Sequence, residues 1–264
     1  MADDGYNRLK DCRHGRMLYN VNDRFLGRSL DLYGEWSEGE IDLFKQFVAP
    51  GDVVIEAGAN IGAHTVWLAK ASAPGGMVLA FEPQRLIFQT LCANLALNSV
   101  TNVVAFPSAC GESRGIIFVP TLDPFKSNNF GALEVGTHTE VAGENVAVMR
   151  LDDLAVSRCR LLKVDVEGME LEVLKGARET ISRCKPVLYV ENDRKEKSAA
   201  LVGFIESLGY QSYWHRPPMF NPDNFAGSAE NVFHNMVSFN MICVPPGASV
   251  VEMRTLNEPV SRPT

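Results

Sequence analysis

The sequence predicts a doubly wound α/β fold, a mainly parallel seven-stranded sheet with helices on both faces and an antiparallel strand near the C-terminus. Three observations predict it. Short apolar runs alternate with stretches of helical period from Gly51 to Glu191, the rhythm of consecutive βα units. Those runs are continuously apolar, as strands buried on both faces are. Glycines and prolines punctuate their boundaries, as at Pro50-Gly51 and Pro74-Gly75-Gly76.

Taken in order, Val53-Val54-Ile55 opens the sheet, and Ala63 to Ser72 is a helix broken by Pro74-Gly75-Gly76. Met77 to Phe81 is the second strand. The next helix carries Leu86, Leu91, Leu95 and Leu97 and closes at Asn98; Val103 to Phe106 is the third strand. Residues 114–151 break the rhythm. Strand-like pieces at Gly115–Val119 and Val146–Leu151 flank a polar, Asn/Gly-rich excursion from Asp123 to Gly143, which reads as an antiparallel appendage or a lid. Leu161 to Val164 is a strand, Leu171 to Arg183 a helix, Val187 to Val190 a strand and Ala199 to Leu208 a helix. Gln211 to Trp214 and Val237 to Val244 close the sheet, the second as an antiparallel partner at its edge. Residues 1–50 read as a helical or strand-bearing preface to one domain over 51–245, and residues 246–264 as a loose tail.

Composition bounds the function. A chain of 264 residues with 46% hydrophobic and 22% charged residues is ordinary for a globular domain, and a formal charge of -7 opposes a nucleic-acid backbone as partner. The N-terminus carries acids where a signal peptide carries bases, and no stretch reaches the roughly 18 apolar residues of a membrane span. The six cysteines are scattered without a Cys-x-x-Cys pair, as reduced and mostly buried thiols would be. The expectation is a cytoplasmic protein.

Sheets of this class bind ligands beyond the carboxyl ends of their strands, where the strand order reverses. After the first strand stands Glu56-Ala57-Gly58-Ala59-Asn60-Ile61-Gly62. Gly58 and Gly62 let the backbone turn and approach a ligand, and the helix beginning there, with Thr65 in its first turn, aims free N–H groups at it. Asn60 replaces the second glycine of the dinucleotide fingerprint, and the third is misplaced. Glu56 would repel a pyrophosphate and attract the ammonium of a methionine moiety. Glu82, at the end of the second strand, suits a grip on ribose hydroxyls; Glu82-Pro83 also fits a helix start. Ser108-Ala109 follows the third strand, where an adenine ring would lie. In Lys163-Val164-Asp165-Val166-Glu167-Gly168, Asp165 suits an amine or a substrate hydroxyl, and Glu167 the neutralisation or deprotonation of a nucleophile. Both acids also suit the start of the next helix.

His64, His138, His215 and His234 are further candidates for a base. His215 stands in Tyr213-Trp214-His215-Arg216-Pro217-Pro218, ahead of Asn221, Asn224, Asn231 and Asn235. Trp214 and Asn224 there suit stacking on, and hydrogen bonding to, a sugar or another polyol, although a plain Pro/Asn loop has the same composition. Trp36, in Tyr33-Gly34-Glu35-Trp36, and Glu191-Asn192 are assigned to the acceptor side as well, although Glu191-Asn192-Asp193 also fits a helix cap.

Together the blocks Val53 to Gly62, Phe81-Glu82-Pro83, Leu151-Asp152-Asp153-Leu154 and Leu162 to Gly168 with Glu170 resemble the FkbM family of methyltransferases, in order and spacing, from about Asp31 to Val244. The resemblance implies a Rossmann-like class I methyltransferase fold, S-adenosylmethionine as donor, and acceptors that are mostly hydroxyl oxygens of secondary metabolites, sugars or lipids. By it, Glu56, Gly58, Asn60 and Gly62 match the first cofactor motif, Glu82 the ribose-binding acid, and Asp165 and Glu167 the late acids. Glu56-Ala57 departs from the family's frequent Asp-Val, but the carboxylate survives.

The expectation is therefore O-methylation of a small molecule, a sugar or a lipid-linked glycan, with Asp165, Glu167 and His215 as catalytic residues. Transfer from a sulfonium is an in-line displacement that needs alignment, exclusion of water and loss of one proton, so no metal is expected. Asp165-x-Glu167 nonetheless offers hard oxygens to a divalent ion. Rival readings are a nicotinamide-dependent oxidoreductase, opposed by Glu56 and the missing glycine, and a non-catalytic nucleotide-binding module, opposed by the intact acids. Net acidity and the lack of an Asn-Pro-Pro-aromatic tetrad oppose nucleic-acid methylation. The acceptor and the oligomeric state have no signature in the sequence.

Overall fold

The chain begins with an antiparallel hairpin, β1 (Asn7–Cys12) and β2 (Gly15–Asn20), followed by two short helices, α1 (Leu26–Tyr33) and α2 (Glu38–Phe44). The structure, a computed structural model, describes residues 5–131, 133 and 142–247. The βα succession follows as β3 (Val53–Ala57), α3 (Ala63–Ser72), β4 (Met77–Phe81), α4 (Arg85–Leu97) and β5 (Val103–Phe106). After an insertion formed by β6 (Ala109–Cys110), β7 (Gly115–Pro120) and β8 (Gly143–Met149), it resumes with β9 (Leu161–Val164), α5 (Glu170–Gly176), α6 (Arg178–Cys184), β10 (Val187–Glu191), α7 (Lys195–Ser207), β11 (Gln211–His215) and β12 (Asn240–Val244).

The main sheet has seven strands in the order β11-β12-β10-β9-β3-β4-β5. β12 is antiparallel to both its neighbours, and the other pairs are parallel. Strand order reverses between β3 and β9, so their carboxyl ends flank the crevice where such sheets bind ligands. Every residue of β3, β9 and β12 is buried, which is why their sequences are apolar but for Glu56, Lys163 and Asn240. One face packs Val54, Leu161 and Tyr189 against Leu68 of α3, Leu91 of α4, Phe44 of α2 and Tyr19 of the hairpin. The other packs Ile55, Leu162 and Val190 against Leu174, Ile181 and Leu201 of the later helices. The insertion after β5 carries a separate three-stranded sheet, β6-β8-β7, with β7 and β8 antiparallel; of the polar excursion between β7 and β8, residues 132 and 134–141 lie outside the described residues.

Two details differ from the sequence reading. The last strand is not at the edge: β12 inserts between β10 and β11, and β11 takes the edge. The helix expected over 171–183 is two helices meeting at Ala177, whose backbone (φ -109°, ψ 8°) leaves the helical well. The chain bends there because Gly176 lies against the backbone of Gly111; a Cβ on Gly176 would stand 2.0 Å from the Gly111 carbonyl oxygen. Among the described residues no helix is long and apolar enough to cross a membrane, and all six cysteines are free thiols.

Gly176→Ala tests that contact. Neither backbone can yield cheaply, so the substitution should cost about 1–3 kcal/mol of stability in urea denaturation, whereas Gly203→Ala, where a Cβ meets open space, should not destabilise.

Candidate active site

Register sets the chemistry of the crevice before any ligand is considered. Glu56 of β3 lies beside Lys163 of β9, and Lys163 beside Tyr189 of β10. Cross-strand partners share a face, so an acid, a base and a phenol line up inside the sheet. Lys163 is 2% exposed; its Nζ donates to Asp165 Oδ2 (3.0 Å) and lies 3.8 Å from Glu56 Oε1. Burial alone would pull its pKa down, but Asp165, Glu56 and Glu40 outweigh burial and hold it above the usual lysine range. Glu56 also accepts a hydrogen bond from Thr65 Oγ1 (2.6 Å) on α3, and burial raises its carboxyl to about 7 against the pull of Lys163.

The loop after β3 is built by close approach. Gly58 and Ala59 N–H groups donate to the Phe81 carbonyl (3.0 and 2.9 Å), while Asp165 N–H donates to the Ala57 carbonyl (3.0 Å). Gly58 has φ +84°, and a Cβ there would stand 1.8 Å from the Asp165 carbonyl oxygen. Asn60 also takes a positive φ (50°), which its side chain makes accessible by accepting from Ile61 N–H (2.8 Å). Asn60 N–H donates to Glu82 Oε2 (3.0 Å) and Gln84 N–H to Glu82 Oε1 (2.8 Å). Glu82 is thus fixed by backbone donors on both oxygens. Burial raises its carboxyl to about 7, and those donors oppose the rise.

These groups border a cleft enclosing about 1260 Å³, open solvent at its mouth included. Gly58, Ala59, Asn60, Glu82, Gln84 and Asp165 line one part of it; Trp36, Glu40, His64, Phe239 and Asn240 line another, with Glu167, Glu191 and Asp193 at the rim. A side pocket of about 490 Å³ continues past Glu82 and Pro83 to Ser108, Ala109, Cys110 and Met169. Asp165, Glu167 and Glu191 each bring a carboxylate oxygen within 4.8 Å of the others. Burial, and then Asp165, raise Glu167 to about 8 and Glu191 well above the carboxylate range. Arg194 Nη2 donates to Glu167 Oε2 (2.9 Å), so a guanidinium already serves that corner.

The structure therefore brings Glu56, Gly58, Ala59, Asn60, Glu82, Pro83, Ser108, Ala109, Asp165, Glu167, Trp36 and Glu191 to the cleft and its side pocket. Gly62 and Thr65 stand one layer behind, at the start of α3. It does not bring His215, Asn192, Trp214 or Asn224 to the lining. His215 is buried with Nδ1 2.8 Å from the Tyr189 hydroxyl, and burial lowers its pKa to about 4; a neutral ring packed under the sheet edge is a hydrogen-bond partner, not a base facing substrate. The Asn192 amide points at Met241 Sδ (3.1 Å), Trp214 packs under the Arg216 guanidinium, and the Asn224 amide ties its own loop together through Asn221 and Ser228. His138 falls outside the described residues. Sequence reasoning missed Lys163, Glu40 and Asn240. The signal for Lys163 was available: a lone cation inside the apolar run Leu161-Leu162-Lys163-Val164.

Lys163→Met removes the one cation at the centre of this group and should destabilise by about 3–5 kcal/mol at pH 8. Glu40 and Glu56, raised to about 7, are neutral at pH 5 and need no counter-charge there. The penalty should therefore shrink as pH falls from 8 to 5, and thermal unfolding at the two pH values reads it.

With the site described, comparison with known proteins gives its family. Residues 56–212, more than half of the chain, match the methyltransferase FkbM domain. Methyltransferase 1 of Beauveria bassiana is 30% identical over 191 residues, covering 64% of this chain and 76% of the relative. The 31-O-demethyl-FK506 methyltransferase FkbM of Streptomyces tacrolimicus is 28% identical over 201 residues (65% and 77%), and the hexuronic acid methyltransferase AglP of Haloferax volcanii 32% over 151 (56% and 59%). The crystal structure of a methyltransferase FkbM from Methylobacillus flagellatus superposes with a TM-score of 0.50 at 21% identity, covering 73% of this chain and 43% of that one, a likeness of fold. The chain belongs to the FkbM family of methyltransferases and has the class I methyltransferase fold.

Proposed function

We propose that the protein transfers the methyl group of S-adenosylmethionine to a hydroxyl of a small molecule, a sugar or a lipid-linked glycan. The observation that carries this reading is the sign of the cleft. Buried or half-buried carboxylates from Glu56, Glu82 and Asp165 stand at the ends of three adjacent strands, with one ammonium, Lys163, behind them. Such a cleft suits a ligand carrying a sulfonium and an ammonium, and opposes the pyrophosphate of a nicotinamide cofactor.

In this reading Glu56 and Asp165 take the methionine ammonium, and Glu82, fixed by two backbone donors, takes the ribose hydroxyls. Gly58, Ala59, Asn60 and Gly62 give the backbone its close approach. Adenine occupies the side pocket beside Ser108 and Ala109, where the buried Ser108 Oγ has no hydrogen-bond partner and can serve a ring nitrogen. When bound, the donor supplies an activated methyl; the protein's share is to align the acceptor, exclude water and receive a proton. Trp36, Glu167 and Glu191 face the acceptor. Two relatives' names, a 31-O-demethyl-FK506 methyltransferase and a hexuronic acid methyltransferase, support a hydroxyl-bearing acceptor. We further propose a metal-free reaction, no nucleic-acid partner, a cytoplasmic site of action, and one catalytic unit over residues 51–245 completed by residues 1–50; the tail expected over 246–264 lies, from residue 248 on, outside the described residues.

Calorimetry of the purified protein should show binding of S-adenosylmethionine and S-adenosylhomocysteine and none of NAD. Glu82→Ala should weaken the adenosyl ligands about 10- to 100-fold, the worth of one charged hydrogen bond. A folded protein that binds NAD instead would overturn the reading. Release of S-adenosylhomocysteine against methyl glycosides, free sugars and secondary-alcohol macrocycles should then find the acceptor class. Adding EDTA should leave that turnover within about twofold; loss restored by magnesium would assign a metal to the acidic rim.

A further inference from the structure

Resting on that reading, we propose that Glu40 is the residue that receives the proton of the acceptor hydroxyl during methyl transfer. Its place in the fold is specific. Glu40 is on α2, outside the βα framework that carries the cofactor motifs, yet it lines the same cleft as Asp165 and Trp36 and is only 5% exposed. Its two oxygens differ. Oε1 is fixed, accepting from Ser37 Oγ (2.9 Å) and from Asn240 Nδ2 (3.2 Å). Oε2 is fully buried and has no hydrogen-bond partner. A buried carboxylate oxygen without a donor costs free energy unless a ligand supplies one. Asn240 is held in turn through Tyr189: its Nδ2 donates to the Tyr189 oxygen (2.9 Å), which sits 2.8 Å from His215 Nδ1. The His215-Tyr189-Asn240 chain thus holds Glu40 through Oε1 and leaves Oε2 the one oxygen without a partner.

The surroundings suit a base. His64, on α3, lines the cleft with Nδ1 3.9 Å from Glu40 Oε2, and its buried Nε2 also has no partner. Burial lowers the pKa of His64 well below its usual value, so it stays neutral and a second polar atom is left for the acceptor. The titratable groups facing Glu40 are His64 on α3, Lys163 and Asp165 at the end of β9, and Tyr189 on β10. Burial raises the Glu40 carboxyl to about 7, Asp165 adds to the rise and Lys163 opposes it, which puts Glu40 where a general base at neutral pH works best. The step balances. The acceptor oxygen forms its bond to the methyl carbon, the carbon–sulfur bond breaks with its electron pair going to sulfur, and the hydroxyl proton passes to Glu40 Oε2. Solvent at the cleft mouth removes it afterwards.

Glu40→Gln keeps the Oε1 acceptor and removes the charge, and it gives an answer even before an acceptor is known. A buried acid raised from 4.5 to about 7 binds its proton more tightly folded than unfolded. It therefore stabilises below pH 4.5, and that stability is lost as pH rises through 7. The variant should melt a few degrees above wild type at pH 8, with the gap closing by pH 5. A variant that melts lower at pH 8 would make Glu40 a structural residue and overturn the proposal. Both proteins should bind S-adenosylmethionine with affinities within about threefold; binding by neither sinks the donor reading, whereas loss in the variant alone makes Glu40 a cofactor contact. With the best acceptor of the panel above, kcat should fall about 10²- to 10⁴-fold at nearly constant KM. The rise of rate through pH 7 should vanish, and Glu40→Asp should recover part of the rate. An unchanged kcat would also overturn it.

Discussion

Lys163 is the constraint around which the active end of this molecule is arranged. An ammonium in the middle of a parallel sheet is stable only if acids surround it. Glu56 from the next strand, Asp165 from the end of its own strand and Glu40 from the N-terminal region meet that need. Each is thereby held in an otherwise apolar layer, where a lone carboxylate would be costly. The same ion cluster knits three separate parts of the chain, the preface, the first βα unit and the late strand, into one polar floor. Removing the cation would leave acids that repel one another.

From that floor the cleft divides into two halves of different character. Toward β4 the polar groups are fixed by backbone: Glu82 by two N–H groups, Gly58 and Asn60 by the tight loop. That half is rigid because hydrogen bonds within the βα turns define it. Toward α2 and β12 the polar groups are held by other side chains, Ser37, Asn240 and Tyr189, drawn from distant parts of the sequence. One framework can therefore keep its backbone-fixed half while the half held by side chains changes.

That division explains what the sequence could and could not disclose. The strands and helices of the βα core were legible because burial on both faces writes continuous apolar runs, and the turn motifs because glycine and acid spacing reports directly on backbone shape. Ala63–Ser72 and Met77–Phe81 are read to the residue for that reason. The break at Ala177 was invisible, since it depends on Gly176 meeting Gly111 across a layer of the fold. His215 stood out as a polar residue near aromatics, but its partner Tyr189 lies on another strand, and only the sheet order joins them. Glu40 was hidden in plain chemistry: Ser37-x-x-Glu40 has the spacing of a helix capping box, and here the serine hydroxyl donates to the glutamate itself. The antiparallel β12 brings Asn240 opposite Glu191 at the carboxyl end of the sheet, a placement no local pattern encodes.

The burial of Glu40 has a consequence for the medium in which the reaction runs. Its side chain is buried, in the cleft wall that also carries the half-buried Trp36. If the donor is the sulfonium proposed, the reactants are a cation and a carboxylate, and the products are a thioether and a carboxylic acid. The reaction destroys a pair of opposite charges and creates none. Water, which solvates ions far better than neutral molecules, favours the starting state of such a change. A poorly polarisable wall gives the ions less to lose, so their mutual cancellation becomes part of the driving force.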